Sequence, residues 1–296
     1  MSDSVRTGDE PELIPLNTYP LSQPAQALVV SNKRISHPDC DDVHHVVLNL
    51  TGLNLRYLEG QCLGVLIPGL DDKGHASKQR LYSIASSRAG DDGNGQTASL
   101  CVKRVIKRDE HGHVIPGNPS SYLCDVQAGD SVQITGPVGK SFLLPTDPAS
   151  HLILAATGTG VAPFRGFLRH IFRERTDWTG KVWLFQGAKS AGEALYQSEF
   201  ESYRRFPNFQ YHLALSREET GHDGHRMYVH HRIHEQIEPV WELLDHEKTH
   251  VFICGKKGME EHIERVLNHR AKVAGVSWAN FRHLLIDTGR LLIETY

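Results

Sequence analysis

Residues 151–169 constrain the fold more than any other stretch, because the spacing of their apolar residues changes half-way along. Positions 152–156 form a short apolar run without alternation, and Phe164, Phe167, Leu168, Ile171 and Phe172 then recur at helical spacing. The pattern predicts strand, tight turn and helix. Gly158 and Gly160 permit positive φ and close approach of a ligand, while Pro163 suits a first helical turn, where no intrahelical N–H is needed. The free amides and dipole of such a helix start form a phosphate site. Gly158-x-Gly160-x-x-Pro163 lacks the third glycine of the dinucleotide fingerprint, and no Gly-Lys-Ser/Thr ending makes it a P-loop. On this stretch alone, a nucleotide site and an ordinary βαβ turn both stay open.

The chain on either side has two textures. Residues 1–27 are rich in proline and glycine and read as a loose or surface-bound arm. Short β-branched runs at 27–31, 45–50, 62–67, 98–105 and 131–135, separated by turn residues, predict an antiparallel β-barrel over 28–148. From 149 to 296 strands alternate with helices: strands at 151–156, 181–186, 210–215 and 250–254, helices at 163–173, 191–206, 226–244 and 259–275. That alternation predicts a parallel sheet of Rossmann-like α/β type with helices on both faces. The apolar run at 291–293 predicts one more strand at the C-terminus.

Composition excludes several classes. A 296-residue chain with 39% hydrophobic and 23% charged residues is ordinary for a globular protein. No apolar run approaches the ~18 residues of a membrane helix. The formal charge of −3 gives no global reason to expect nucleic acid. Five cysteines, odd in number and without Cys-x-x-Cys spacing, speak against a disulfide framework, a zinc ribbon and an iron–sulfur cluster. The acidic N-terminus without an apolar segment fits no secretory signal, so the expected location is cytoplasmic. His230, His231 and His234 share part of a helical face; without a matching carboxylate or cysteine they read as a pH-sensitive surface, and no metal is expected.

Three further groups carry chemistry. Arg80-Leu81-Tyr82-Ser83 opens a strand after a polar tip at 71–75; an arginine forks onto pyrophosphate, an aromatic ring stacks on a flat heterocycle, and a hydroxyl bonds a ring nitrogen. Alternating strand residues would read the same way. Gly117, Ser120 and Ser121 stand at a possible helix start, a second candidate phosphate cradle or a plain cap. The strand at 181–186 ends in Gly187-Ala188-Lys189, with no acid for a ribose 2′-hydroxyl. Ser216, Arg217, Arg226 and Tyr228 instead offer a grip for a 2′-phosphate and a ring for adenine, which favours NADP over NAD.

Taken in order, Tyr57-x-Glu59-Gly60-Gln61, residues 80–87, Ser99-Leu100-Cys101-Val102-Lys103-Arg104, residues 134–140, residues 157–165, Val251-Phe252-Ile253-Cys254-Gly255-x-x-Gly258-Met259-Glu260 and terminal Glu294-Thr295-Tyr296 resemble the plant and cyanobacterial (plastidic) type of ferredoxin-NADP reductase. The resemblance implies an FAD-binding barrel followed by an NADP-binding α/β domain. It implies that Tyr82 and Tyr296 sandwich the isoalloxazine, that Arg80 binds the pyrophosphate, and that Ser83 sits beside flavin N5. Cys254 and Glu294 would line the nicotinamide pocket. Lys103, Thr157, Ser216, Arg217, Arg226 and Tyr228 would contact NADP, and Leu81 and Cys101 belong to the same cofactor-binding motifs. Two departures stand out: Lys107 falls where the family has an aromatic for the FAD adenine, and Gly117-Asn118-Pro119-Ser120 replaces its usual cradle.

The expected function is electron exchange between NADP(H) and a separate one-electron carrier, ferredoxin or flavodoxin, through FAD by hydride transfer at N5. A two-electron donor and a one-electron acceptor need a group that handles both. Lys33, Arg34, Lys73, Lys78 and Lys140 offer a basic rim for an acidic partner. The alternatives are the reductase component of a multicomponent oxygenase, against which the absence of a fused ferredoxin domain counts, and a non-catalytic nucleotide sensor.

Overall fold

The computed structural model describes residues 13–68, 79–108, 110, 114–116, 118–221 and 224–296. In chain order the first half holds β1 (Ala25–Arg34), β2 (Val43–Asn49), β3 (Cys62–Leu66), β4 (Arg80–Ser83), β5 (Thr97–Lys103), the short hairpin β6 (Ile106–Arg108) and β7 (Val114–Pro116), α1 (Asn118–Asp125) and β8 (Ser131–Val138). Six of these strands form one antiparallel sheet in the order β4-β3-β8-β1-β2-β5. Its edges meet through the Ile84–Leu100 bridge and the Ala85 N–H to Ser99 carbonyl bond, 2.7 Å, which closes the expected barrel. Alternation in β1 explains the packing: Ala25, Ala27 and Val29 face a core shared with Leu63, Leu100 and Ile134, while Leu28 and Val30 face out. The described part of the arm is bound to this surface, with Tyr19 paired to Gly136 and the Pro15 carbonyl accepting from Gln61.

The second half runs β9 (His151–Thr157), α2 (Ala162–Arg169), β10 (Val182–Ala188), α3 (Gln197–Ser202), β11 (Phe209–Leu215), α4 (Val229–Glu235), α5 (Ile237–Asp245), β12 (Thr249–Gly255), α6 (Met259–Val273), α7 (Trp278–Asp287) and β13 (Leu291–Thr295). The sheet is parallel, in the order β11-β10-β9-β12-β13. Alternate residues of β9 enter different cores: Leu152, Leu154 and Ala156 on one face, Ile153 and Ala155 on the other. Burial on both faces is why this strand reads as an unbroken apolar run.

Two predicted helices are corrected. The span 191–206 yields only α3 between short 3₁₀ turns, since Tyr196 takes a left-handed backbone (φ 59°) just before it. The span 226–244 divides at Gln236 into α4 and α5, because the ring of Pro239 clashes with the carbonyl four residues back and Pro239 offers no N–H. Helix α7, capped by Ser277, was not foreseen.

The two halves share an interior. Val43, Ala85, Cys101 and Phe142 pack in one cluster with Phe164, Phe167 and Phe252. Gly166 of α2 lies so close to the barrel that a Cβ there would sit 2.8 Å from the Ser86 carbonyl. Beside it the buried Arg165 donates to the Ala85 carbonyl at 3.0 Å and pairs with Asp91 at 2.9 Å and Glu199 at 2.8 Å. His45 joins by bonding Asp91 at 2.8 Å and the Tyr196 hydroxyl at 2.9 Å. A charge desolvated this far is tolerated because each partner is present, and removing one of them is costly.

Candidate functional site

The glycine turn after β9 lies where the strand order reverses, between β9 and β12, the point at which open parallel sheets bind their ligands. Its two glycines have different jobs. Gly158 adopts φ 55° and a Cβ there would meet none of the described residues, so its freedom serves the turn and leaves the ligand side open. Gly160 has no such φ; a Cβ there would lie 2.2 Å from the Cys254 carbonyl. At Gly160 the missing Cβ is therefore required by close approach to strand β12. Thr157 closes the same junction, its Oγ1 accepting from the Lys256 N–H at 3.0 Å, and Pro163 starts α2 fully packed.

The C-terminus is docked beside this turn. Strand β13 pairs with β12 in register Cys254 to Glu294 and Gly255 to Thr295. Tyr296 N–H donates to the Gly255 carbonyl at 3.0 Å and its hydroxyl lies 2.6 Å from the Thr159 hydroxyl, while the residue as a whole stays 62% exposed. Cys254 is buried and its thiol is pushed up, first by burial and then by the charge of Glu294. Burial likewise raises the Glu294 carboxyl above its ordinary range.

Barrel residues come to the same place. The Cys62 thiol donates to the Ser83 hydroxyl at 3.7 Å. Burial lifts the Cys62 thiol to about 11, against the Ser83 hydrogen bond and with help from Glu294. Glu294 acts electrostatically on both thiols and the Cys62 thiol acts on that of Cys254, so Ser83, Cys62, Cys254 and Glu294 form one cluster drawn from β3 and β4 of the barrel and β12 and β13 of the parallel sheet. The sequence reading missed Cys62, which directly follows the quoted Gln61, and Thr159, the hydroxyl between the two glycines.

Along β4, Tyr82 is half-buried against the barrel core, and Arg80 and Leu81 are exposed. At the start of α1 the Ser120 hydroxyl accepts from the Val105 N–H at 2.9 Å. Ser121 Oγ is buried without a hydrogen-bond partner among the described residues. An orphaned buried hydroxyl beside helix-start amides fits a phosphate oxygen, and a half-buried ring next to a paired serine fits a flat heterocycle. An FAD group therefore suits these residues. Gly117, Lys73 and Lys78 lie outside the described residues, as do the side chains of Lys107 and Asn118. Cys101 is placed elsewhere: it is buried in the interior shared by the two halves, with a Tyr196 hydrogen bond.

On the far side of β9, the N–H groups of Ser216 and Arg217 bond the carbonyls of Ala188 and Lys189 at 2.9 and 2.8 Å. A bridge from Thr220 to Arg226 returns the chain, so Arg217 and Arg226, both exposed, stand on one short antiparallel turn. Tyr228 caps α4, 44% exposed, its ring stacked on His230 at 5.8 Å between centroids. Lys103 is not isolated: its ammonium lies 2.6 Å from Asp41. Arg34, read as part of a basic rim, is spent internally on the carbonyls of His37, Pro38 and Cys40 and on Asp42, whereas Lys33 and Lys140 are exposed.

Comparison with known proteins follows this geometry. Residues 154–265 match the family described as the oxidoreductase NAD-binding domain. The chain is similar to the ferredoxin-NADP reductase of Spirulina sp., 42% identical over 96% of this chain and 99% of that one. It is also similar to that of Synechocystis sp., 40% identical over 96% and 70% of the two chains. The chloroplastic leaf isozyme 1 of Oryza sativa subsp. indica is 40% identical over 95% and 79%. A solved structure of a mutant of Plasmodium falciparum ferredoxin-NADP+ reductase superposes with a TM-score of 0.73 at 25% identity, covering 95% of this chain and 99% of that one. The reductase of the same organism with 2′P-AMP gives 0.74 at 24% identity, over 95% and 100%. With a barrel, a parallel sheet and a terminal strand in this order, and relatives at this identity along nearly the whole chain, the protein belongs to the ferredoxin-NADP reductase family.

Proposed function

We propose that the chain is an FAD-dependent reductase that exchanges electrons between NADP(H) and a separate ferredoxin or flavodoxin. The observation that carries the reading is the cluster in which Ser83 and Cys62 of one sheet come near Cys254 and Glu294 of the other. FAD, when bound, supplies the ability to take electrons as a pair and pass them on singly. Tyr82 would stack on its ring system, Arg80 and Ser121 would take its phosphates, and the Ser83 hydroxyl would hold a hydrogen bond at the reacting edge. Cys254 would exclude water from the nicotinamide side, and Glu294, its carboxyl pKa raised by burial, would be the group able to hold a proton there. Arg217 and Arg226 would take the 2′-phosphate, with Ser216 and Tyr228 beside it.

We divide the chain into an FAD-binding unit at 28–148 and an NADP-binding unit at 149–296, served by the arm 1–27. No described helix is long and apolar enough to cross a membrane. All five cysteines are free, which supports a reducing compartment, and we propose the cytoplasm. The purified protein should show flavin absorption bands, release FAD on denaturation, and reduce a ferredoxin with NADPH far better than with NADH. A colourless protein that fails to take up added FAD would overturn the reading.

A further inference from the structure

Lys103 and Lys189 come from different halves of the molecule, yet both reach one carboxylate, that of Asp41. The Lys103 ammonium is 2.6 Å away, and Lys189 pairs with the same oxygen still more closely. Lys189 immediately follows β10, at the ligand end of the parallel sheet, and its carbonyl accepts from the Arg217 N–H at 2.8 Å. Lys103 ends β5. The two cations therefore border the segment that carries the exposed arginines.

Asp41 does not arrive there by chance of a loose side chain. On one side, the Cys40 carbonyl accepts from Arg34 at 2.9 Å and the Cys40 thiol lies 3.6 Å from the Ser190 hydroxyl. On the other, the Asp42 carbonyl accepts from the Arg104 N–H at 2.8 Å. His37 N–H also bonds the Gly192 carbonyl at 2.9 Å, which clips this loop to the chain after β10. Burial opposes ionisation of Asp41, but the hydrogen bonds from Lys103 and Lys189 outweigh it and hold the carboxyl below its ordinary range. Glu193 adds a second acid, 3.5 Å from the Lys189 ammonium. Two lysines face two carboxylates, so their charge is balanced internally.

We propose that Asp41 is an internal competitor for nucleotide phosphate, a positioning residue that holds Lys103 and Lys189 until a phosphate of NADP(H) displaces its carboxylate. This rests on the nucleotide reading given above. A phosphate dianion carries more charge than one carboxylate and takes both lysines at once, while the energy of breaking the two existing pairs is subtracted from its binding. Asp41 thereby weakens nucleotide binding and hastens release.

The test uses the FAD-loaded protein, titrated calorimetrically with NADP+ and NAD+ at several salt concentrations. Asp41→Asn should bind NADP+ about three- to tenfold more tightly, with a lower KM for NADPH and a steeper loss of affinity with salt. Asp41→Glu should restore wild-type affinity. Tightening for NADP+ alone assigns the competition to the 2′-phosphate, and equal tightening for NAD+ assigns it to the pyrophosphate; either supports the proposal. Lys189→Gln should weaken NADP+ binding and abolish the effect of Asp41→Asn in the double variant. Unchanged or weaker binding by an Asp41→Asn protein of wild-type melting temperature would overturn it; should Asp41→Asn not fold alone, a folded Lys189→Gln protein that binds NADP+ as tightly as wild type would overturn it. If wild-type protein fails to bind NADP+, or Arg217→Ala and Arg226→Ala leave binding untouched, the nucleotide reading fails instead.

Discussion

The Tyr296 and Thr159 hydroxyls lie 2.6 Å apart although 137 residues separate them, so the last residue of the chain is tied to the glycine turn. Tyr296 is exposed, and if the proposed nicotinamide stacks in its place, displacing the ring would offset part of the nucleotide's binding energy. Tyr296→Ser should bind NADP+ more tightly, discriminate less against NADH and turn over more slowly as release becomes limiting. Absorbance titration should reveal a new flavin–nicotinamide band. Wild-type affinity without that band would show that the ring has no part in binding. Tyr296→Phe loses only one exposed hydrogen bond, about 1 kcal/mol, and should stay near wild type.

Arg217 and Arg226 stand on one short turn without an acid at the end of β10 to favour a free ribose hydroxyl. Replacing both with alanine should lower kcat/KM for NADPH about 100-fold or more and barely change it for NADH. Steady-state kinetics with the two nucleotides decides this, and equal losses would remove the 2′-phosphate assignment.

Ser83→Ala and Cys254→Ala should slow flavin reduction by NADPH about 10- to 100-fold in stopped flow while FAD stays bound. Cys62 acts through Ser83, so Cys62→Ala should slow reduction less, and Cys62→Ser, which keeps a donor for the Ser83 hydroxyl, should recover it. A Cys254 variant that melts early yet reduces at the normal rate would mark that residue as packing only.

The two glycines of the turn should separate in thermal melts. Gly160→Ala drives a methyl into the Cys254 carbonyl and should cost about 2–4 kcal/mol of stability. Gly158→Ala meets open space and should cost roughly 1 kcal/mol, for its φ of 55°, while weakening nucleotide binding more than stability.

His212 stacks on Phe185 with centroids 4.7 Å apart. Burial first, and then the charges of Arg204 and Arg232, lower its pKa from 6.5 to about 4. The folded chain therefore binds this proton more weakly than the unfolded chain does. The stability that His212 contributes is complete above pH 6.5, declines as pH falls toward 4, and levels off below that. His212→Gln should flatten this part of the stability profile in denaturant titrations from pH 7 to 4; an unchanged slope would show that another group is responsible.

What was legible in the sequence followed from period and punctuation. The barrel strands, the β9 turn and the docked end of the chain announce themselves through apolar runs bounded by turn residues. Helix ends were less legible, because Pro239 and the left-handed Tyr196 act through local sterics that a hydrophobic pattern does not register. The site showed the same split. Thr157, Ser83, Cys254 and Glu294 sit in recognisable motifs, while Asp41 and Cys62 acquire partners 148 and 21 residues away only on folding. At Gly160, close approach to a strand and to a phosphate demand the same missing Cβ, so the sequence alone does not reveal the packing against Cys254.

The interior that Val43, Ala85, Cys101 and Phe142 share with Phe164, Phe167 and Phe252 has a consequence for exchange of parts between relatives. A chimera joined in the linking segment 139–150 would inherit two half-cavities shaped for different neighbours, with Arg165 facing foreign carboxylates. Successful transplants should carry both sides of this seam together. Swinging the halves apart would expose this shared interior to water, so the seam favours a closed arrangement of the two halves.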